Sequence, residues 1–206
     1  MKRTTVLEAA LVALSALVGA AAYPAAPETV PIHWNAAGVP DGYASKAVGL
    51  FLLPVIAALT LFFLHFVFRA DPRTDGEFEG SGVILVGVAG FLCYVQLVIA
   101  LAALGHVDTI NRFLYPGLGV LFVLIGVWLP RVEPNWFAGI RTPWTLESDA
   151  VWRRTHRVTG RLFVLAGLAT MAGAFIPQYA VWLCLGSVSV AALGGVLYSA
   201  LDYRRA

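Results

Sequence analysis

Two polar runs in this chain carry residue types that could do chemistry, and each interrupts a long apolar background. The first reads Pro31-Ile32-His33-Trp34-Asn35-Ala36-Ala37-Gly38-Val39-Pro40-Asp41-Gly42-Tyr43-Ala44-Ser45-Lys46. An imidazole and a carboxylate, His33 with Asp41, joined by His106 and Asp108 farther along, are ligand types for a metal held by nitrogen and oxygen. No His-Glu-x-x-His or other helix-borne ligand spacing accompanies them. Hydrogen bonds that tie the loop together are therefore the simpler reading, and no metal or cofactor is assigned.

The second run extends from Pro134 to His156 and holds Trp136, Trp144 and Trp152, half of the six tryptophans. Ser148 followed by Asp149 predicts a helix start, with a hydroxyl cap and an acidic first turn. On that helix Trp152, His156, Thr159 and Phe163 share one face, and Arg153, Arg157 and Arg161 share another. One reading is a juxtamembrane helix whose tryptophans sit among headgroups and whose arginines meet anionic lipid. The other is a loop fixed by Arg141, Glu147 and His156 in one shape for a cytoplasmic partner. Neither run contains a Gly-x-Ser-x-Gly elbow, a phosphate-cradling glycine loop or an ordered Ser/His/Asp set. No catalytic residue is assigned, and the chain reads as a non-enzyme.

The elements that must carry these runs are helices in lipid. Of 206 residues 59% are hydrophobic and 13% charged, and the mean hydropathy is +0.79. A soluble domain carries about a quarter charged residues. The formula charge of +2 offers no basis for direct nucleic-acid binding. Cys93 and Cys184 lie in apolar runs, which argues against a disulfide framework and a thiolate metal site.

The sequence predicts an all-α, polytopic membrane helical bundle of six transmembrane helices in one integral membrane domain, 1–206. The spans fall at about 4–22, 47–68, 83–104, 113–129, 158–176 and 181–200, each near the roughly 20 residues that cross hydrocarbon. An outer loop occupies 24–46, with a turn at Val39-Pro40-Asp41-Gly42, and a cytoplasmic loop occupies 130–157. The first span has a rival reading as a secretory signal peptide, with Ala20-Ala21-Ala22 as the cleavage site. With the N-terminus inside, Lys2, Arg3, Arg69, Arg73, Arg131, Arg141, Arg153, Arg154, Arg157, Arg161, Arg204 and Arg205 face the cytoplasm. Only Lys46 and Arg112 remain outside. The positive-inside rule then gives an N-in/C-in protein of the cell membrane.

Inside the bundle, Pro54 kinks the second span and calls for a neighbour to satisfy the freed carbonyl. Gln96, strongly polar near mid-bilayer, reads as interhelical glue. Glu8 and His65 lie near cytoplasmic span ends, within reach of Lys2, Arg3 or Arg69. Ser187, Ala191, Gly195 and Ser199, and likewise Ala166, Thr170 and Ala174, form small-residue stripes that serve either packing within the chain or a dimer face. At an offset of 103 residues the two polar runs share Pro31/Pro134, Pro40/Pro143, Ser45/Ser148, Ala47/Ala150 and Val48/Val151. This raises an inverted 3+3 repeat of the kind transporters use.

The run from Pro31 to Lys46 resembles the outer-loop signature of a widespread prokaryotic membrane domain of unknown function. Asn135-Trp136-Phe137-Ala138-Gly139-Ile140-Arg141-Thr142-Pro143-Trp144-Thr145-Leu146, followed by Val151-Trp152 and Thr155-His156, resembles the signature of the SdpI family. The resemblance implies a six-span membrane protein giving immunity to a secreted toxin peptide, with signalling to a transcriptional repressor at the membrane. It marks His33, Asn35, Gly38, Asp41, Tyr43 and Lys46 outside. Inside it marks Asn135, Gly139, Ile140, Arg141, Thr142, Pro143, Trp144, Thr145, Leu146, Trp152, Thr155 and His156. The expected partners are membrane lipid, a toxin peptide outside and a repressor inside; the oligomeric state stays open. A small-solute or ion transporter is the alternative, disfavoured by the scarcity of buried charge. A metal-dependent membrane hydrolase using His33 and His106 is the second alternative.

Overall fold

A computed structural model describes residues 3–74 and 80–205. Seven helices and one hairpin occur among them. They are α1 (Arg3–Ala22), β1 (Thr29–Trp34), β2 (Pro40–Ser45), α2 (Lys46–Arg69), α3 (Ser81–Ala103), α4 (Asn111–Trp128), the short α5 (Pro143–Glu147), α6 (Asp149–Ala172) and α7 (Ala180–Tyr203). Short 3-10 turns at Leu129–Arg131 and Pro177–Tyr179 extend α4 and precede α7.

The long helices are built inside out. On α1 the buried positions are Glu8, Ser15, Gly19 and Ala22, while Leu7, Leu14 and Leu17 lie exposed. Phe62, Phe63 and Phe66 of α2 and Trp182 and Leu193 of α7 are likewise exposed. Small and polar residues inside with large apolar ones outside is the arrangement that hydrocarbon solvent favours. Among the described residues five segments are long and apolar enough to cross a membrane: Arg3–Ala22, Lys46–Arg69, Ser81–Ala103, Asn111–Arg131 and Pro177–Tyr203. By composition α6 is not among them, because its first half carries Asp149, Arg153, Arg154, Arg157 and Arg161. That half is amphipathic and only the second half is apolar.

Pro54 explains one polar contact in the interior. Proline has no N–H, so the carbonyl of Leu50, four residues earlier, loses its helical donor. The Gln96 amide of α3, itself fully buried, donates to that carbonyl at 2.8 Å. Gly19 of α1 makes room, since any Cβ there would collide with the Leu50 carbonyl oxygen.

Glycines also set the contact between α4 and α6. A Cβ on Gly160 would lie 2.5 Å from the Gly126 carbonyl oxygen, and one on Gly126 would lie 2.6 Å from that of Gly160. Gly119 and Gly167 oppose each other in the same way, at 2.5 Å in both directions. Two glycines seven residues apart on each helix thus pair in antiparallel register with backbones nearly touching. On its other side α6 packs against α7, where a Cβ on Gly195 would strike Thr159 Oγ1 and Ser187 Oγ donates to the Ala166 carbonyl at 3.3 Å. The small-residue stripes are used within the chain.

The structure departs from the sequence reading in three ways. The segment after α1 is a two-stranded antiparallel hairpin, so the fold is not purely helical. Its turn is Asn35–Val39, where Gly38 takes φ +81°, whereas Pro40-Asp41-Gly42 lies within β2. The Asn35 side chain competes successfully for the turn by accepting from the N–H groups of Ala37 and Val39. The helix neighbours of the two halves also differ. In the first half α1 packs closely on α3 with α2 against both, whereas in the second α6 lies between α4 and α7, which barely meet. The proline-and-serine matches of an inverted repeat therefore do not extend to helix packing.

Candidate functional site

At one end of the bundle the hairpin forms an ordered cap. Val30 is fully buried and sits over Gly49 of α2, where a Cβ would collide with its side chain. Both strands of a two-stranded sheet are edges, which is why Pro31 and Pro40 are tolerated. His33 Nδ1 and Asp41 Oδ1 lie 2.5 Å apart across the hairpin, both exposed. Lys46 pairs with Glu28 at 2.9 Å and lies 4.9 Å from the centre of the Tyr23 ring. Asn35 holds the turn, Gly38 supplies its positive φ, and Tyr43 is exposed.

A residue not singled out in the sequence anchors this cap. Asn111, buried at the start of α4, donates to the Ala36 carbonyl at 3.0 Å, and the Ile110 N–H donates to the Gly38 carbonyl at 3.2 Å. A Cβ on Gly38 would come 2.6 Å from Asn111 Cγ. His106 and Asp108 are exposed. Among the described residues no group of three or more His, Cys, Asp or Glu side chains is placed to hold a metal ion.

The other end is closed by the connection from α4 to α6. Asn135 is completely buried and saturated: its Oδ1 accepts from the N–H groups of Phe137 and Ala138, and its Nδ2 donates to the carbonyls of Glu133 and Ala138. Asp71, buried in the α2–α3 connection, accepts from the Trp136 N–H at 2.7 Å. Thr142 and Thr145 form a reciprocal capping box on α5, with Pro143 in its first turn. Thr145 Oγ1 donates to the Ile140 carbonyl at 2.8 Å, and Thr142 Oγ1 lies 3.0 Å from Ser199 Oγ of α7.

Trp152 and His156, one turn apart on α6, are the centre of this cap. Both are fully buried and their rings stack at 4.1 Å. Trp152 Nε1 donates to the Val132 carbonyl at 2.7 Å. Trp152 is thus a core residue and does not anchor in headgroups. His156 Nε2 accepts from the Ile140 N–H at 3.0 Å, so its Nδ1 carries the proton donated to the Trp152 carbonyl. This is the neutral imidazole, and burial lowers its pKa from 6.5 to about 4. Gly139 takes φ +115°, and a Cβ there would collide with His156 Nε2.

Other marked residues lie at the periphery. Arg141 and Pro143 are exposed and Trp144 is partly buried, while Thr155 is buried with Oγ1 unpartnered. Glu147 is exposed and lies beside Tyr203. Arg153, Arg157 and Arg161 form the exposed face of α6 as its period requires. Arg154 binds both carboxylate oxygens of Asp202 through Nε, at 3.0 and 2.8 Å. Glu8 and His65 bond each other at 2.6 Å and not the arginines expected; Lys2 lies outside the described residues.

Lipid-adapted helices closed at both ends by hydrogen-bonded polar caps define a multi-pass membrane protein. The SdpI/YfhL protein family matches residues 131–199, and the domain of unknown function DUF1648 matches residues 10–58. The chain is 26% identical over 208 residues to "Immunity protein SdpI" of Bacillus subtilis (strain 168), covering 98% of this chain and 97% of that protein. The chain is thus similar to the SdpI family, over 131–199 in the family match and along nearly its whole length in the relative. No solved structure matches it.

Proposed function

We propose that this protein is an SdpI-like immunity protein of the cell membrane, acting against a secreted toxin peptide without catalysis. One observation carries the reading. The two matched regions, 10–58 and 131–199, contain the hairpin and the loop clamped by His156, and similarity to a protein named for immunity runs along 98% of the chain. The hairpin, with exposed His33, Asp41 and Tyr43, is the side that meets the toxin. The cap around His156 is the cytoplasmic side, where exposed Arg141 and the arginines of α6 face a regulator such as a transcriptional repressor. This reading has six spans, N-in and C-in, the apolar half of α6 being the one not recognised by composition. Its support is the position of α6 between α4 and α7, and the twelve Lys and Arg against two that the sequence order assigns to the cytoplasmic side.

The test is protection of a toxin-sensitive host that lacks its own immunity protein. Wild type, His33→Ala and Arg141→Ala are expressed at equal membrane levels and challenged with the peptide against which the Bacillus relative protects. Wild type preserves growth and His33→Ala weakens protection. If signalling passes through the inner cap, Arg141→Ala keeps protection but loses induction of a reporter. Growth arrest of the wild-type strain at the same dose as an empty vector refutes the immunity reading.

A further inference from the structure

Three arginines from three separate segments line one polar cleft of about 470 Å³ beside the inner cap. Arg73 comes from the α2–α3 connection, Arg131 from the turn after α4, and Arg153 from the second turn of α6. Two of the three are positioned before any ligand arrives. The Arg73 guanidinium lies 5.6 Å from the centre of the Trp136 ring, and Arg131 Nη1 donates to the Val127 carbonyl. No described carboxylate lies within ion-pair distance of any of them, although Glu133 and Asp149 also line the cleft. Pro130, Val132 and Pro134 complete the lining.

We propose that this cleft binds a phosphate group. A guanidinium presents a planar fork of donors that matches phosphate oxygens, and a fixed fork loses less freedom on binding than a mobile one. The cleft also stands at the start of α6, where the helix dipole favours an anion, and this adds to the arginines. Glu133 limits affinity and excludes a second anion. A phosphate can reach the cleft as the headgroup of an anionic phospholipid or as a free phosphate, and the two sources are separated by experiment.

The full chain is purified in a neutral detergent, and its melting temperature is followed while either phosphatidylglycerol or inorganic phosphate is added. Arg73→Gln and Arg153→Gln reduce the wild-type upward shift at least threefold, and Arg112→Gln, at the opposite end, leaves it unchanged. Glu133→Gln makes half-saturation fall several-fold, a gain that misfolding cannot produce. A shift with phosphatidylglycerol alone assigns a lipid headgroup; a shift with both assigns the phosphate group itself. No shift with either, or a shift equal in all variants, overturns the proposal. Because the readout is binding, its failure leaves the immunity reading untouched.

Discussion

His156 Nε2 accepts the N–H of Ile140 at 3.0 Å, so one neutral imidazole on α6 holds the backbone of the loop sixteen residues earlier. A protonated ring would present a donor to that donor and a charge to a buried site. Burial accordingly lowers the folded pKa to about 4 from 6.5. Between those values the unfolded chain binds a proton that the folded protein does not, so stability falls as pH falls through this window and is unaffected above it. At about 1.4 kcal/mol per pH unit, going from pH 7 to pH 5 costs about 2 kcal/mol from this residue. Thermal melts in detergent at the two pH values check this: the drop shrinks in His156→Gln, whose amide cannot titrate.

Gly139 has to stay glycine for two reasons, its φ of +115° and its contact with His156. Gly139→Ala should cost about 3 kcal/mol or more, combining backbone strain with the collision. Adding His156→Ala removes the collision but not the strain. The double variant is therefore less destabilised than the two singles summed, read as melting temperatures in a double-mutant cycle.

Gln96 and Pro54 should show a coupling of the same sign by a different route. Gln96→Leu leaves the buried Leu50 carbonyl without a donor and costs about 1–3 kcal/mol. Pro54→Ala restores the helix's own donor to that carbonyl. In the Pro54→Ala background Gln96→Leu becomes about 1 kcal/mol or more cheaper, whereas equal costs in both backgrounds would show that the carbonyl contact does not matter.

Asn111→Ala should release the hairpin turn without disturbing the helices. Hydrogen exchange at the Asn35 and Gly38 amides, both bonded within the turn, accelerates about tenfold, equivalent to about 1.4 kcal/mol of local stability. Amides in the middle of α3 and α4 keep their protection.

Much of the inner cap was legible in the chain. Ser148 caps α6 through the Val151 N–H as its hydroxyl predicts, and the helical period separates Trp152, His156, Thr159 and Phe163 from the arginines; that the first three are buried and Arg153, Arg157 and Arg161 exposed is decided by packing. The outer turn was misread because Pro-Asp-Gly is a strong local signal, while the Asn35 side chain and the docking of Gly38 onto Asn111 depend on partners both near and distant. Asn111 itself carries no local mark. The facing glycines of α4 and α6 are legible only as a spacing of seven, which does not say which helix they meet.

The sequence by itself determined the lipid environment, the helical segments and the polarity of each face, because these follow from local composition and from the period of 3.6 residues. Tertiary structure alone decided which carbonyl Gln96 satisfies, that Glu8 closes on His65, and that His156 clamps Ile140. Those choices bring together groups 46, 57 and 16 residues apart. Their outcome depends on how the helices pack, and no local pattern encodes that.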